Sequence, residues 1–256
     1  VSLPRLVLLS IDSPLSTPAV LRFLDSHGAQ IALLALCRPA GPRAAWRALR
    51  RSGPRLLPYL AANYGGPVLR PSRLAAAARA RGIPVRRLSD ANGPVAQAAI
   101  RAAAPDLLLT FHCDQILQAA TLALAPQGGI NVHPALLPAH RGPVPTIWTL
   151  AEPAPRWGVT VHRLATRIDA GAILAQAALP LPPGISATGA ARALHLAALP
   201  LLAQALAAIA AGAPDPPPPA ALPYETFPPA RLLRELSRTG RRLVTLTDLA
   251  TSPTAD

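Results

Sequence analysis

The sequence predicts an open α/β sheet, doubly wound and mostly parallel, carrying a short C-terminal extension. Three observations lead there. Residues 5–11 (RLVLLSI), 30–37 (QIALLALC) and 106–111 (DLLLTF) are continuous apolar runs, the pattern of strands buried on both faces. Helical stretches separate these runs, so successive strands pair in parallel through right-handed crossovers. The chain has 256 residues, 51% hydrophobic and 14% charged, enough for a sizeable core and incompatible with global disorder.

The elements follow in order. After the strand at 5–11, Thr17 offers an N-cap oxygen and Pro18 suits the first helical position, predicting a helix to His27. The strand at 30–37 is followed by an Arg- and Ala-rich stretch, 42–82, read as two or three helical pieces. A short strand at 85–88, a helix at 94–103 and the buried strand at 106–111 come next. A helix at 114–122 and a strand at 129–132 complete the first half.

Strands at 159–164 and 173–181 flank a tight loop, residues 166–171 (TRIDAG). A long Ala/Leu helix spans 186–211, with Pro200 as a kink and Gly212 as its stop. Residues 1–212 therefore form the main domain. Residues 213–256 begin with a stiff spacer (APDPPPP) and end in a tail too short to fold alone, expected to pack back with Tyr224 and Phe227 as anchors.

The net charge is +13, carried by arginine alone, since the chain contains no lysine. With the Ala, Pro and Gly excess this reads as compositional bias, although a weak pull on anions follows. No ladder of aromatics interleaves the basic runs at 43–55 and 231–242, so nucleic acid is not an expected partner, with tRNA left open. Cys37 and Cys113 stand in no CxxC pattern, which signals neither a disulfide framework nor a zinc site. The apolar stretch 193–213 is interrupted by His195, Pro200 and Gln204, and no basic segment followed by a long apolar run opens the sequence. No membrane span is read, and the cytoplasm is the expected compartment. GxGxxG and GxxxxGK[ST] are missing, and the turn after the first strand has no glycine, which argues against a dinucleotide cradle.

Chemistry concentrates in residues 129–142 (GINVHPALLPAHRG). Asn131 and His133 are two apart at a strand end, so both project from one face toward the crevice where such sheets bind ligands. Asp169 follows 36 residues after the histidine, in a glycine-bounded turn. An amide can donate to an oxygen that gains negative charge, an imidazole can donate or carry a proton, and a carboxylate can take one. Together they suit acyl transfer to an amine. No serine or cysteine elbow is present, which favours direct attack over a covalent intermediate. The same Asn-x-His also reads as a turn cap beside a satisfied histidine. His112 and Cys113 lack a plausibly spaced third ligand, so no metal is expected.

Asn131 to Pro138 with Arg141-Gly142, then residues 158–162 (GVTVH), residues 168–171 (IDAG) and Gln176, resemble the folate-dependent formyltransferases. That family includes the methionyl-tRNA, glycinamide ribonucleotide and sugar-amine enzymes. The resemblance covers residues 3–212 and implies their Rossmann-like fold, with 10-formyltetrahydrofolate as donor and a primary amine of a small metabolite or sugar nucleotide as acceptor. It implies catalytic roles for Asn131, His133 and Asp169. It places folate contacts on the backbone of Gln115, Ile116 and Leu117 and on the loop 165–169, Ile168 included. Arg141, Gly142 and His140 fall on the acceptor side.

Departures from the family pattern are Ala135 for a serine, His140 for an aromatic residue, and Ala172 for a proline. The tail cannot supply the β-barrel domain of the methionyl-tRNA enzymes. Hydrolysis of formyltetrahydrofolate by the same trio and a non-catalytic folate-binding module are the other readings the resemblance allows.

Overall fold

The computed structural model describes residues 2–39, 41–65 and 71–250. Part of the predicted helical stretch, 66–70, and the last six residues of the tail lie outside the described residues. Seven strands form one sheet: β1 (Leu6–Ser10), β2 (Ile31–Cys37), β3 (Val85–Leu88), β4 (Leu107–Phe111), β5 (Gly129–His133), β6 (Gly158–Arg163) and β7 (Ile173–Ala178), in the order β3-β2-β1-β4-β5-β6-β7. The first five are parallel, while β6 runs antiparallel to β5 and β7 antiparallel to β6.

Ten α-helices are described: α1 (Thr17–His27), α2 (Pro42–Ser52), α3 (Leu57–Leu60), α4 (Arg73–Ala80), α5 (Pro94–Ala103), α6 (Ala119–Leu122), α7 (Pro145–Ala151), α8 (Ala187–Ala210), α9 (Ala230–Arg238) and α10 (Leu246–Ala250). The mostly parallel, doubly wound sheet is the architecture the apolar runs predicted. Its buried strands serve both faces. Leu6 and Leu8 of β1 enter one core, with α1, α4, α7 and α8, whereas Val7 and Leu9 enter a smaller core beneath α5.

Several local expectations need correction. Thr17 is the first helical residue of α1, not its cap; its hydroxyl donates to Asp12 Oδ1 at 2.8 Å and accepts from the Ser13 N–H at 3.0 Å. The helix predicted over 114–122 shrinks to α6, because residues 112–118 form an irregular loop that starts with His112 at φ +57°. In the tail, Leu233 and Leu236 of α9 are the buried anchors. Phe227 packs at the edge of the core, and Tyr224 is exposed by 43%.

By length and hydropathy α8 is the only described helix able to cross a membrane. In the fold its Leu194, Ala198, Leu202, Ala205 and Leu206 belong to the larger core. Cys37 and Cys113 are free thiols.

Strand order reverses between β1 and β4, which stay paired to their carboxyl ends. The Ser10 hydroxyl still bonds the Phe111 carbonyl at 2.7 Å, and the Ile11 N–H bonds the His112 carbonyl at 3.0 Å. Ligands of open α/β sheets bind outside such a switch point. A cavity of about 180 Å³ opens there.

Candidate active site

The site is built by the two-residue period of adjacent strands. In β5, Ile130 and Val132 face the larger core, which turns Asn131 and His133 to the opposite face. Register then sets their neighbours. Asn131 pairs with Thr110 of β4 on one side and His162 of β6 on the other, and His133 pairs with Thr160. The smaller core does not extend over β5, so this polar face opens into the cavity.

Asn131 is held from both ends. The Thr110 hydroxyl donates to its Oδ1 at 2.7 Å, and its Nδ2 lies 3.1 Å from His162 Nε2. His162 Nδ1 is 2.8 Å from the Arg163 carbonyl and must carry the proton there, leaving Nε2 as an acceptor. Burial, reinforced by His133 nearby, lowers the His162 pKa to about 4, so the ring is neutral at physiological pH. The network thus assigns the amide orientation and leaves Asn131 one N–H for the cavity.

His133 Nε2 donates to the His140 carbonyl at 3.0 Å, which turns Nδ1 toward the Asp169 carboxylate, 3.7 Å away. The second oxygen of Asp169 is 3.6 Å from His162 Nε2. Spacings of this size admit a bridging water. Asp169 sits at φ +49°, a left-handed conformation that few residues other than glycine adopt, and its Oδ2 accepts the Gly142 N–H at 2.9 Å. The carboxamide, the imidazole and the carboxylate therefore meet at one mouth.

Gln115, Ile116, Leu117, Ile168 and Gly142 also line the cavity. The Gln115 side chain turns away, accepting the Ala91 N–H at 2.7 Å and donating to the Arg38 and Ser89 carbonyls, both at 3.2 Å. Ile116 is exposed at the rim and Leu117 is buried.

Two residues expected on the acceptor side do not face the cavity. Arg141 is buried, and its guanidinium donates to the carbonyls of Ile168, Asp169 and Leu222. It braces the Asp169 turn against the tail. His140 is clasped between Glu225 Oε2 at 2.8 Å and Glu152 Oε1 at 3.0 Å. Both positions are drawn outward because the tail crosses there, with Tyr224 bridging to Arg141 and the Glu225 N–H bonded to the Arg141 carbonyl at 2.8 Å.

Sequence reasoning missed Thr110 and His162 as neighbours of the trio, and Leu15, Tyr59, Thr146, Ala191, His195 and Tyr224 in the cavity wall. Only strand register could have exposed the first pair. The others arrive from five separate segments.

A family model described as formyl transferase matches residues 69–206, more than half of the chain. The chain belongs to the formyl transferase family. A likely sugar N-formyltransferase from Mycobacterium tuberculosis superposes with a TM-score of 0.56 at 20% identity, covering 87% of this chain and 74% of that one. Glycinamide ribonucleotide transformylase 1 from Symbiobacterium toebii superposes with a TM-score of 0.58 at 19% identity, covering 82% and 89%. HypX from Aquifex aeolicus, solved with tetrahydrofolic acid, matches with a TM-score of 0.54 at 16% identity over 90% of this chain and 31% of HypX. This family fold therefore spans under a third of HypX. Among the described residues no cluster of three metal-ligating side chains occurs.

Proposed function

We propose that this enzyme moves the formyl group of 10-formyltetrahydrofolate to a primary amine of a small metabolite or sugar nucleotide by direct attack. The observation that carries this reading is the convergence of Asn131, His133 and Asp169 on one cavity at the strand switch point. The backbone of Gln115, Ile116 and Leu117 and the turn containing Ile168 line its rim on opposing elements, which suits a flat ring held between them. Bound there, the folate supplies an activated formyl carbon.

The protein's own groups do the rest. The free N–H of Asn131 donates to the formyl oxygen as the amine attacks and charge builds on it, a contribution of roughly 2.7–4 kcal/mol. His133, held by the His140 carbonyl, presents Nδ1 for proton exchange. Asp169 takes the proton that the amine loses, directly or through water, and the folate nitrogen is reprotonated as its bond to the formyl carbon breaks. A positioned acid or base of this kind adds roughly 10²–10⁴-fold.

The test is tetrahydrofolate release from 10-formyltetrahydrofolate in the presence of an amine panel. Asn131→Ala and His133→Ala are expected to abolish it while folate binding and folding persist. Undiminished turnover in either variant would refute the mechanism, and formate release without amine would show a hydrolase.

A further inference from the structure

Besides the trio, the cavity wall includes Leu15, Tyr59 of α3, Thr146 of α7, and Ala191 and His195 of α8. His195 is almost completely buried, at 2% exposure. Its Nδ1 lies 3.0 Å from the Leu15 carbonyl and so must be the protonated nitrogen. Burial, with His112 close by, depresses its pKa to about 3, and the ring is neutral. Nε2 is then a bare lone pair. It is buried without any hydrogen-bond partner, on a ring that lines the cavity. Buried acceptors left unmatched are rare, and one at a cavity wall marks the place of a donor that a ligand brings.

The rest of the wall sharpens that ligand's chemistry. Among the described residues, none that lines the cavity is arginine, in a chain whose 25 Lys+Arg positions are all arginine. Asp114 and Asp169 also line the cavity, and His112 is neutral, its pKa lowered to about 4 by burial. Tyr59 and Thr146 bring hydroxyl groups to the wall. Arg192, next to Ala191 on α8, is directed to the Pro14 carbonyl at 3.1 Å and to the Asp248 carbonyl at 3.0 Å. A phosphate or carboxylate oxygen placed at His195 Nε2 would set acceptor against acceptor.

We propose that His195 is a specificity-determining residue: its Nε2 accepts a hydrogen bond from an N–H or O–H on the inner end of the amine substrate. That end is a hydrogen-bond donor such as a hydroxyl, and an anionic end is excluded. The inference rests on the amine-transfer reading above, and it narrows the acceptor class.

The experiment uses the full chain with ¹⁵N-labelled histidine, the His195 Nε2 signal being assigned by its loss in His195→Gln. Ethanolamine and 3-amino-1-propanol are expected to shift that signal upfield as the lone pair accepts a proton donor. Size-matched n-butylamine and 3-aminopropyl phosphate are expected to leave it in place. In tetrahydrofolate release, kcat/KM for 3-amino-1-propanol should exceed that for n-butylamine about ten- to hundred-fold. The ratio should fall near unity in His195→Phe and recover in His195→Gln, which keeps an acceptor oxygen. A signal unmoved by both amino alcohols, or a preference for the phosphate, overturns the assignment. A shifted signal with no turnover of any amine would retire the transfer reading and leave the His195 contact standing.

Discussion

Asn131 Nδ2 and His162 Nε2 lie 3.1 Å apart across the antiparallel β5–β6 pair, and this contact orients the amide that faces the cavity. The partner nitrogen of His162 is fixed on the Arg163 carbonyl, so the imidazole can only accept. Replacing it with leucine would free the Asn131 amide to rotate. His162→Leu is expected to lower kcat by about ten- to hundred-fold, as misplacement of a reacting group does, with KM for the folate changed little. His162→Gln, whose carbonyl can still accept, should recover part of the loss. Steady-state kinetics on both variants separates this orienting role from a merely structural one, which would not show the rescue.

Arg141 offers a second test. Its planar fork reaches three carbonyls on two segments, two in the Asp169 turn and one in the tail. Lysine keeps the charge but not the geometry. Arg141→Lys is expected to behave as a partial loss of Asp169, with kcat lowered and the tail more readily cleaved by protease. Wild-type kcat in that variant would show that the turn holds its shape unaided.

Gly142 carries a strict steric demand. Its φ is +135°, and a Cβ placed there would lie 2.0 Å from the Glu225 carbonyl oxygen. Gly142→Ala must push the tail away or distort the N–H that holds Asp169. A cost of about 1–3 kcal/mol or more is expected in urea unfolding. Gly240→Ala is the control, because Gly240 has φ +72° but open space around it. Only the conformational penalty, about 1 kcal/mol, should appear there.

Acid should destabilise the fold through three histidines buried in neutral form. Burial lowers the pKa of His112 and His162 to about 4 and of His195 to about 3, against an unfolded value of 6.5. Above pH 6.5 neither state binds these protons and stability is full. As pH falls below 6.5 the unfolded chain takes them up first, so stability declines until the folded-state values are passed. Over that interval the loss is about 3 kcal/mol for His112 or His162 and about 5 kcal/mol for His195. Denaturant midpoints measured from pH 7.5 to 4.5 should fall, and His112→Gln should fall less steeply. A flat profile would mean that these rings titrate in the fold as they do in the unfolded chain.

Much of the fold was legible because it is encoded locally. Residues 6–10, 31–37 and 107–111 are apolar at every position or nearly so, and that is the mark of strands covered on both sides. The helix at 94–103 showed its proline start and apolar spacing. The loop 112–118 was misread because its shape depends on non-local bonds, such as Asn92 to the Ile116 carbonyl and to the Gln118 N–H. In the site, Asn131 and His133 were legible from their two-residue spacing. Asp169 was joined to them by residue type and its glycine-bounded turn, and the resemblance strengthened that link, because no local pattern fixes the contact. Arg141 and His140 looked available from sequence because their tail partners, Leu222 and Glu225, lie some 80 residues away in the chain.

The chain's own order of residues determined the strand–helix alternation, the face that Asn131 and His133 share, and the family motif from 129 to 176. Those depend on periodicity and on neighbours within a few positions. Tertiary structure alone decided that His162 would steady Asn131, that the tail would draw Arg141 and His140 away from the cavity, and that His195 Nε2 would be buried without a partner. These outcomes depend on strand register and on packing between distant segments, which short-range patterns do not encode.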